Sequence, residues 1–182
     1  MQLTQIVAPA TEPITLEEAK AFLRVLHSDD DALISSIITA VIEHVENVTN
    51  RQLVIATFEL KNYNFVCRLP KGSLQSVSKI EYLDANGDYI ILDSTKYYEY
   101  MDNGLGYIEY LEIPYIPTHR EAVKITFIAG YTIVPETIKQ YMKVKIATLY
   151  ENREEYVIGA SISNFGNEFI ENILSSYKIR SI

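Results

Sequence analysis

ITLEEAKAFLRVLHSDDDALISSIITAVIEHVENVTNRQL, residues 14–53, reads as a short helix, an acidic turn and a long helix. Thr15 followed three residues later by Glu18 has the spacing of a capping box, with apolar Leu16, Ala19, Phe22 and Leu23 behind it. Asp29, Asp30 and Asp31 place an N-cap and favourable negative charge at the start of the second helix. From there Leu33, Ile34, Ile37, Ile38, Val41, Ile42, Val45 and Val48 recur at steps of three and four, one unbroken apolar stripe. No side chain on that stripe can move a proton or hold a metal. It is packing surface, and it points to a protein whose work is to hold other proteins.

Downstream of Leu53 the period changes. Residues 54–61, VIATFELK, are β-branched and aromatic and predict a strand. Residues 77–83 and 89–92 flank Asp84-Ala85-Asn86-Gly87-Asp88 and predict a hairpin. Strands near 97–101 and 107–111 follow across Asp102-Asn103-Gly104, and VKITFIA, residues 123–129, closes the block. Five or six strands in this stretch make a compact antiparallel sheet or small barrel. A third helix then follows Gly130-Tyr131, with Pro135 suited to its first turn. Its apolar face carries Ile138, Tyr141, Met142, Ile146, Leu149 and Tyr150, and the charged residues 151–155 end it. The fold class expected is α+β: a helical frame of two N-terminal helices and one C-terminal helix, with an antiparallel β-sheet insertion. Residues 1–156 are expected as one domain (helices 15–52 and 135–154, insertion about 54–130), and 157–182 as a hinged tail. In that tail Phe169, Ile170, Ile173, Leu174 and Tyr177 share one face of a short helix. A helix so short is marginal alone in water, so it docks either on its own body or on another protein.

With 182 residues, 48% apolar and 22% charged, the chain is long enough for a sizeable core and ordinary in composition. No apolar run reaches membrane-spanning length, and the first residues lack the basic stretch of a secretory signal. The lone Cys67, between apolar Val66 and Arg68, reads as a packed thiol. Net charge is −8, and residues 14–53 hold seven acids (Glu17, Glu18, Asp29, Asp30, Asp31, Glu43, Glu46) against three bases. That surface argues against a module that grips nucleic acid, which needs a basic stripe. It is either a solubilising helix face or a surface that DNA passes without sticking.

The search for chemistry finds little. His27, His44 and His119 lie on separate elements without ligand spacing to Cys or carboxylates, so no metal and no cofactor is expected. Nucleophile elbows, phosphate loops, zinc-protease motifs and dinucleotide fingerprints do not occur. Asp29–Asp31 lacks the glycine and distal glutamate of a calcium loop. Fourteen tyrosines, among them Tyr97, Tyr98, Tyr100, Tyr107, Tyr110 and Tyr115, suit strand faces and interfaces. The competing reading is a small monomeric binding module that uses them for a carbohydrate or peptide.

The order of segments resembles tailed-phage head–tail connector proteins. Members typically run Thr-Leu-x-Glu-Ala-Lys-x-x-Leu-Arg-Val, an Asp-rich turn, then a long helix closing on Thr-(Gly or Asn)-Arg-x-Leu. Here these are Thr15, Leu16, Glu18, Ala19, Lys20, Leu23, Arg24 and Val25, then Asp29–Asp31, then Thr49, Asn50, Arg51 and Leu53. ITFIAGY at residues 125–131, LYENRE at 149–154 and ILSSYKI at 173–179 match more loosely. Asn50 stands where glycine is commoner, which suits a left-handed helix end. The resemblance implies a non-enzymatic virion protein at the head–tail junction, assembled in the host cytoplasm. It implies a self-assembled ring, usually of twelve, beneath a portal protein, carrying tail or stopper proteins and letting double-stranded DNA through without specific binding. On that reading Phe169, Ile170, Ile173, Leu174 and Tyr177 meet the portal or a neighbouring subunit. Asp29, Asp30, Asp31, Glu43 and Glu46 would then form an acidic ring or channel surface.

Overall fold

The computed structural model describes residues 1–152 and 172–179. They form two compact units, one built of strands from residues 1–11 and 54–132, the other of helices from residues 12–53 and 133 onward. The class is α+β.

In the helical unit, α1 (Leu16–Leu23) begins at the expected capping box. Thr15 Oγ1 accepts from the Glu18 N–H (3.2 Å), and the Glu18 carboxylate accepts from the Thr15 N–H (3.1 Å). Arg24 ends the helix with φ 59°, in the left-handed region. Helix α2 (Asp31–Thr49) buries Ile34, Ile37, Ile38, Val41 and Val45, one face of the predicted stripe. It ends at Asn50 with φ 55°, the conformation that asparagine tolerates better than most side chains. Helix α3 (Glu136–Glu151) buries Ile138, Tyr141, Met142 and Ile146. Pro135 sits at the N-cap, one residue outside the first turn. Helices α1, α2 and α3 all touch one another.

Two five- and three-stranded antiparallel sheets make the other unit. The larger has order β1-β2-β8-β4-β5, with β1 Gln2–Val7, β2 Ala56–Asn62, β4 Leu74–Leu83, β5 Tyr89–Ile91 and β8 Val123–Ala129. The smaller has order β3-β7-β6, with β3 Arg68–Gly72, β6 Tyr97–Asp102 and β7 Leu105–Tyr110. Strand β8 is central, and Val123, Ile125, Phe127 and Ala129 are fully buried there. Phe127 stacks on Phe58 of β2 at 5.5 Å between ring centres. The predicted hairpin is present, 74–91 across Asp84–Asp88, and the strands expected near 97–101 and 107–111 pair as a second one, 97–110 across Asn103-Gly104.

The sequence reading needs three corrections here. The strands fall into two sheets rather than one, since β6 and β7 pair apart from the larger sheet, and β3 joins them by pairing with β7. Pro70 in β3 hid it, and the strand lies at a sheet edge, where a missing N–H costs least. Strand β1 is also real, pairing with β2 through residues 2–7. Cys67 is exposed.

One local device ties the two sheets together. The β4 register shifts between Val77 and Lys79, a bulge that disrupts the ladder. The Val77 N–H donates instead to the Glu99 carboxylate of β6 at 2.5 Å.

Candidate functional site

Because the sequence points to packing surfaces, the site to describe is the set of surfaces that can meet another chain. On the helical unit the acidic residues divide. Asp31 bonds Lys20 of α1 at 2.5 Å. Asp30 holds the N-cap position but makes no side-chain cap bond, since its carboxylate accepts from the Tyr150 hydroxyl of α3 at 2.5 Å. The expected cap is thus spent on a helix–helix tie. Glu46 accepts from the Leu53 N–H at 2.9 Å, fixing the turn that leaves α2. Asp29, with 90% of its side chain exposed, and Glu43 stay on the surface. His27 lies within 3.9 Å of both Asp29 and Asp30, and the exposed His44 meets the Tyr141 hydroxyl at 3.3 Å.

The five tail residues also divide. Phe169, Ile170 and the joint at 157–167 lie outside the described residues. Residues 172–175 form a helical turn, and Leu174 is buried. The Tyr177 hydroxyl pairs with Thr137 Oγ1 at 2.6 Å, and its carbonyl accepts from Arg51 Nε at 2.7 Å. The Ile179 N–H donates to the Thr49 carbonyl at 3.1 Å, satisfying one of the carbonyls that the end of α2 leaves open. The tail end is therefore stitched to its own helical unit, with Ile173 half-buried beside it.

Exposed apolar side chains are many. Leu26, in the turn between α1 and α2, is 98% exposed, Ile133 84% and Tyr115 82%. Leu149, expected on the apolar face of α3, is half in solvent. It borders a groove of about 370 Å³ lined by Ala40, Val41, His44, Lys145 and Thr148. On the sheets, Tyr98, Tyr100 and Met101 of β6 and Ile90 and Ile91 of β5 face outward at edge strands. Edge strands with apolar side chains are ready to meet other protein, and this chain leaves them unguarded by proline.

Several tyrosines are taken up in ring packing. Tyr100 stacks on Tyr107 at 5.4 Å, and Phe65 packs edge-on to Tyr110 at 5.1 Å. Tyr110 donates to the Val66 carbonyl, and burial pushes its phenol above the usual range. Among the described residues no three His, Cys, Asp or Glu side chains gather as a metal site, and no helix is long and apolar enough to cross a membrane. A smaller hollow of about 200 Å³ beside β5 is bordered by Tyr82, Asp93, Pro114 and the Lys96–Glu112 ion pair.

The family model described as phage gp6-like head–tail connector protein matches residues 13–110, more than half the chain. The chain belongs to that family. Its match opens at the capped α1–α2 pair and runs through both hairpins, the stretch whose geometry is given above. No curated protein matches. Among solved structures, a chain in the neck of an empty gene transfer agent particle, computed with C6 symmetry, is similar at TM-score 0.80 and 23% identity. A chain of the native gene transfer agent virion gives 0.79 and 24%, and one from the native neck computed with C12 symmetry gives 0.78 and 23%. Each likeness covers 100% of this chain and 98% of the other. The chain shares their fold, and it is a structural protein of the head–tail connector class.

Proposed function

We propose that this connector works as a ring of identical subunits at the head–tail junction, below the portal and above the tail or stopper proteins. Family membership across residues 13–110 carries the reading. The full-length likeness to chains from particle necks solved with sixfold and twelvefold symmetry supports the ring. A closed ring needs two different complementary surfaces on each subunit, and the exposed apolar side chains of both units supply candidates. No reaction is assigned to it: its role is to join, align and pass DNA, after assembly in the host cytoplasm.

Within that role the tail end divides labour. Leu174 and Tyr177 anchor residues 172–179 to the helical unit, while Phe169, Ile170 and Ile173 are offered to the portal or a neighbouring copy. On the acidic surface, Asp29 and Glu43 are the carboxylates turned to solvent in the single subunit, available to repel a DNA backbone or to meet a neighbouring copy; Asp30, Asp31 and Glu46 serve internal bonds.

Co-sedimentation with portal-bearing heads tests the reading. The intact chain is expected to bind heads, and a chain truncated after Asn167 to bind much less. Failure of the intact chain to bind would overturn the junction role, and undiminished binding by the truncated chain would overturn the tail's part in it.

A further inference from the structure

We infer that neighbouring copies lock together through the α1–α2 turn of one subunit, seated in the α2–α3 groove of the next. This rests on the ring proposed above and names the seam within it.

The turn is a knob. Leu26 is 98% exposed, more than any other large apolar side chain among the described residues. The turn is held rigidly from both ends: the left-handed Arg24 closes α1, the Val25 N–H bonds the Lys20 carbonyl at 3.0 Å, and Lys20 bonds Asp31 at 2.5 Å. A rigid apolar projection loses little entropy when it docks.

The groove is a matching hole. Its lining combines apolar Ala40, Val41 and Leu149 with Lys145, His44 and Thr148. Asp29, three residues after Leu26 and 90% exposed, carries the charge opposite to that of Lys145. An apolar centre with complementary charge at the rim is the usual anatomy of a specific contact. About 370 Å³ is room for a leucine side chain with its neighbours.

Placement favours a second copy as the occupant. An α-helix turns about 100° per residue, so Ala40 and His44 lie roughly 180° and 140° around α2 from Asp31, the residue tied to α1. The hole therefore lies on the side of α2 turned away from Asp31 and its tie to Lys20 of α1. Leu26, 98% exposed, does not fill the hole of its own subunit; it can fill its neighbour's, and the next can do the same. That is the head-to-tail arrangement from which rings close. Asp29 is then drawn into the seam, and Glu43 is left as the exposed acid of α2.

The test is directed crosslinking in a Cys67→Ser chain, which leaves no native thiol. Leu26→Cys is combined with Thr148→Cys, both at exposed positions whose replacement leaves the fold intact, and Leu149→Cys serves as a second partner. Concentrated protein and protein bound to portal-bearing heads are oxidised mildly, with negative-stain imaging of the same samples. The double variants are expected to give a ladder of covalent multimers ending at the ring, and mixed single variants to give only dimers. Leu26→Ser should weaken ring formation at least about tenfold, as loss of one buried leucine per seam requires, with an unchanged circular dichroism spectrum. Rings without a ladder would overturn the seam and leave the ring standing. Dimers from Leu26→Cys alone would show like patches meeting and also overturn it. A crosslink confined to monomers would mean that the turn reaches the groove of its own chain, and would overturn the seam. No rings in either sample would remove the ring itself.

Discussion

Gly130 follows β8 in the ITFIAGY stretch, and replacing it by alanine should be more damaging than the same change at Gly87 or Gly106. Its φ is +129°, a region closed to side chains by clash with the backbone. Its N–H donates to the Ser73 carbonyl at 2.8 Å, and its carbonyl accepts from Gln75 Nε2 at 2.8 Å, so the peptide cannot rotate freely away. A Cβ built there falls 2.4 Å from both the Val54 carbonyl carbon and oxygen, and 2.5 Å from the Ile55 nitrogen. Those are backbone atoms with no rotamer to change. The left-hand strain costs about 1–3 kcal/mol, and forcing two strands apart adds about 1–3 kcal/mol of overpacking, so the total is roughly 2–6 kcal/mol. At about 2–4 °C per kcal/mol for a chain of this size, the midpoint should fall by roughly 4–24 °C. Two other glycines calibrate the result. Gly87→Ala meets nothing within 4 Å and should cost only the strain of φ +89°, about 1–2 kcal/mol. Gly106→Ala meets the Leu74 side chain at 2.7 Å, which can shift in part, and should fall between. Thermal melts by circular dichroism, with urea titration for the free energies, read all three. Equal costs at Gly87 and Gly130 would refute the claim that backbone approach, rather than torsion alone, demands glycine at 130.

Asn50→Gly should stabilise the chain by up to about 1 kcal/mol, since φ 55° is free to glycine and strained for asparagine; a loss in urea midpoint would contradict the helix-end assignment. Thr15→Ala should cost about 1 kcal/mol by removing one half of the capping box, again read by urea titration. Leu174→Ala should cost roughly 2–4 kcal/mol and expose residues 172–179 to hydrogen exchange, because the leucine is buried against the helical unit; unchanged protection of the Ile179 amide would show that the anchor lies elsewhere. The N–H groups of Asp88 and Asn86 point at the Asp84 carboxylate and hold its carboxyl below the usual range. A depressed folded value contributes stability above the unfolded value, about 3.9, and loses it as pH falls through the folded one. The stability gap between the native chain and Asp84→Asn should therefore close as pH drops below about 4, and a gap that widens there would have the wrong sign.

Much of this architecture was legible in residue order because local rules and packing agree. The capping box at Thr15 and Glu18, the stripe from Ile34 to Val45 and the turn at Asp84–Asp88 each state one structure by spacing alone. The failures have separate causes. QLTQIV at residues 2–7 carries little apolar alternation, and five of its six positions are exposed, so only pairing with β2 makes it a strand. Pro70 concealed β3, whose tolerance of proline depends on its edge position, a property of the sheet rather than of the segment. Asp30 looked like a helix cap, yet Tyr150, 120 residues away, claims its carboxylate. Cys67 borders Phe65 and Val66 in sequence, but its own side chain falls on the outer side of the chain. The surfaces were the least legible part. Leu149 fits the helical period of α3, and only the fold shows that it borders a groove.

Cryo-electron microscopy of particles assembled with and without this chain tests the connector account most directly. Particles with it should show a ring of this fold between portal and tail, and those without it should end at the portal, tailless. Complete tailed particles lacking the chain, or density for it anywhere but the neck, would contradict the account.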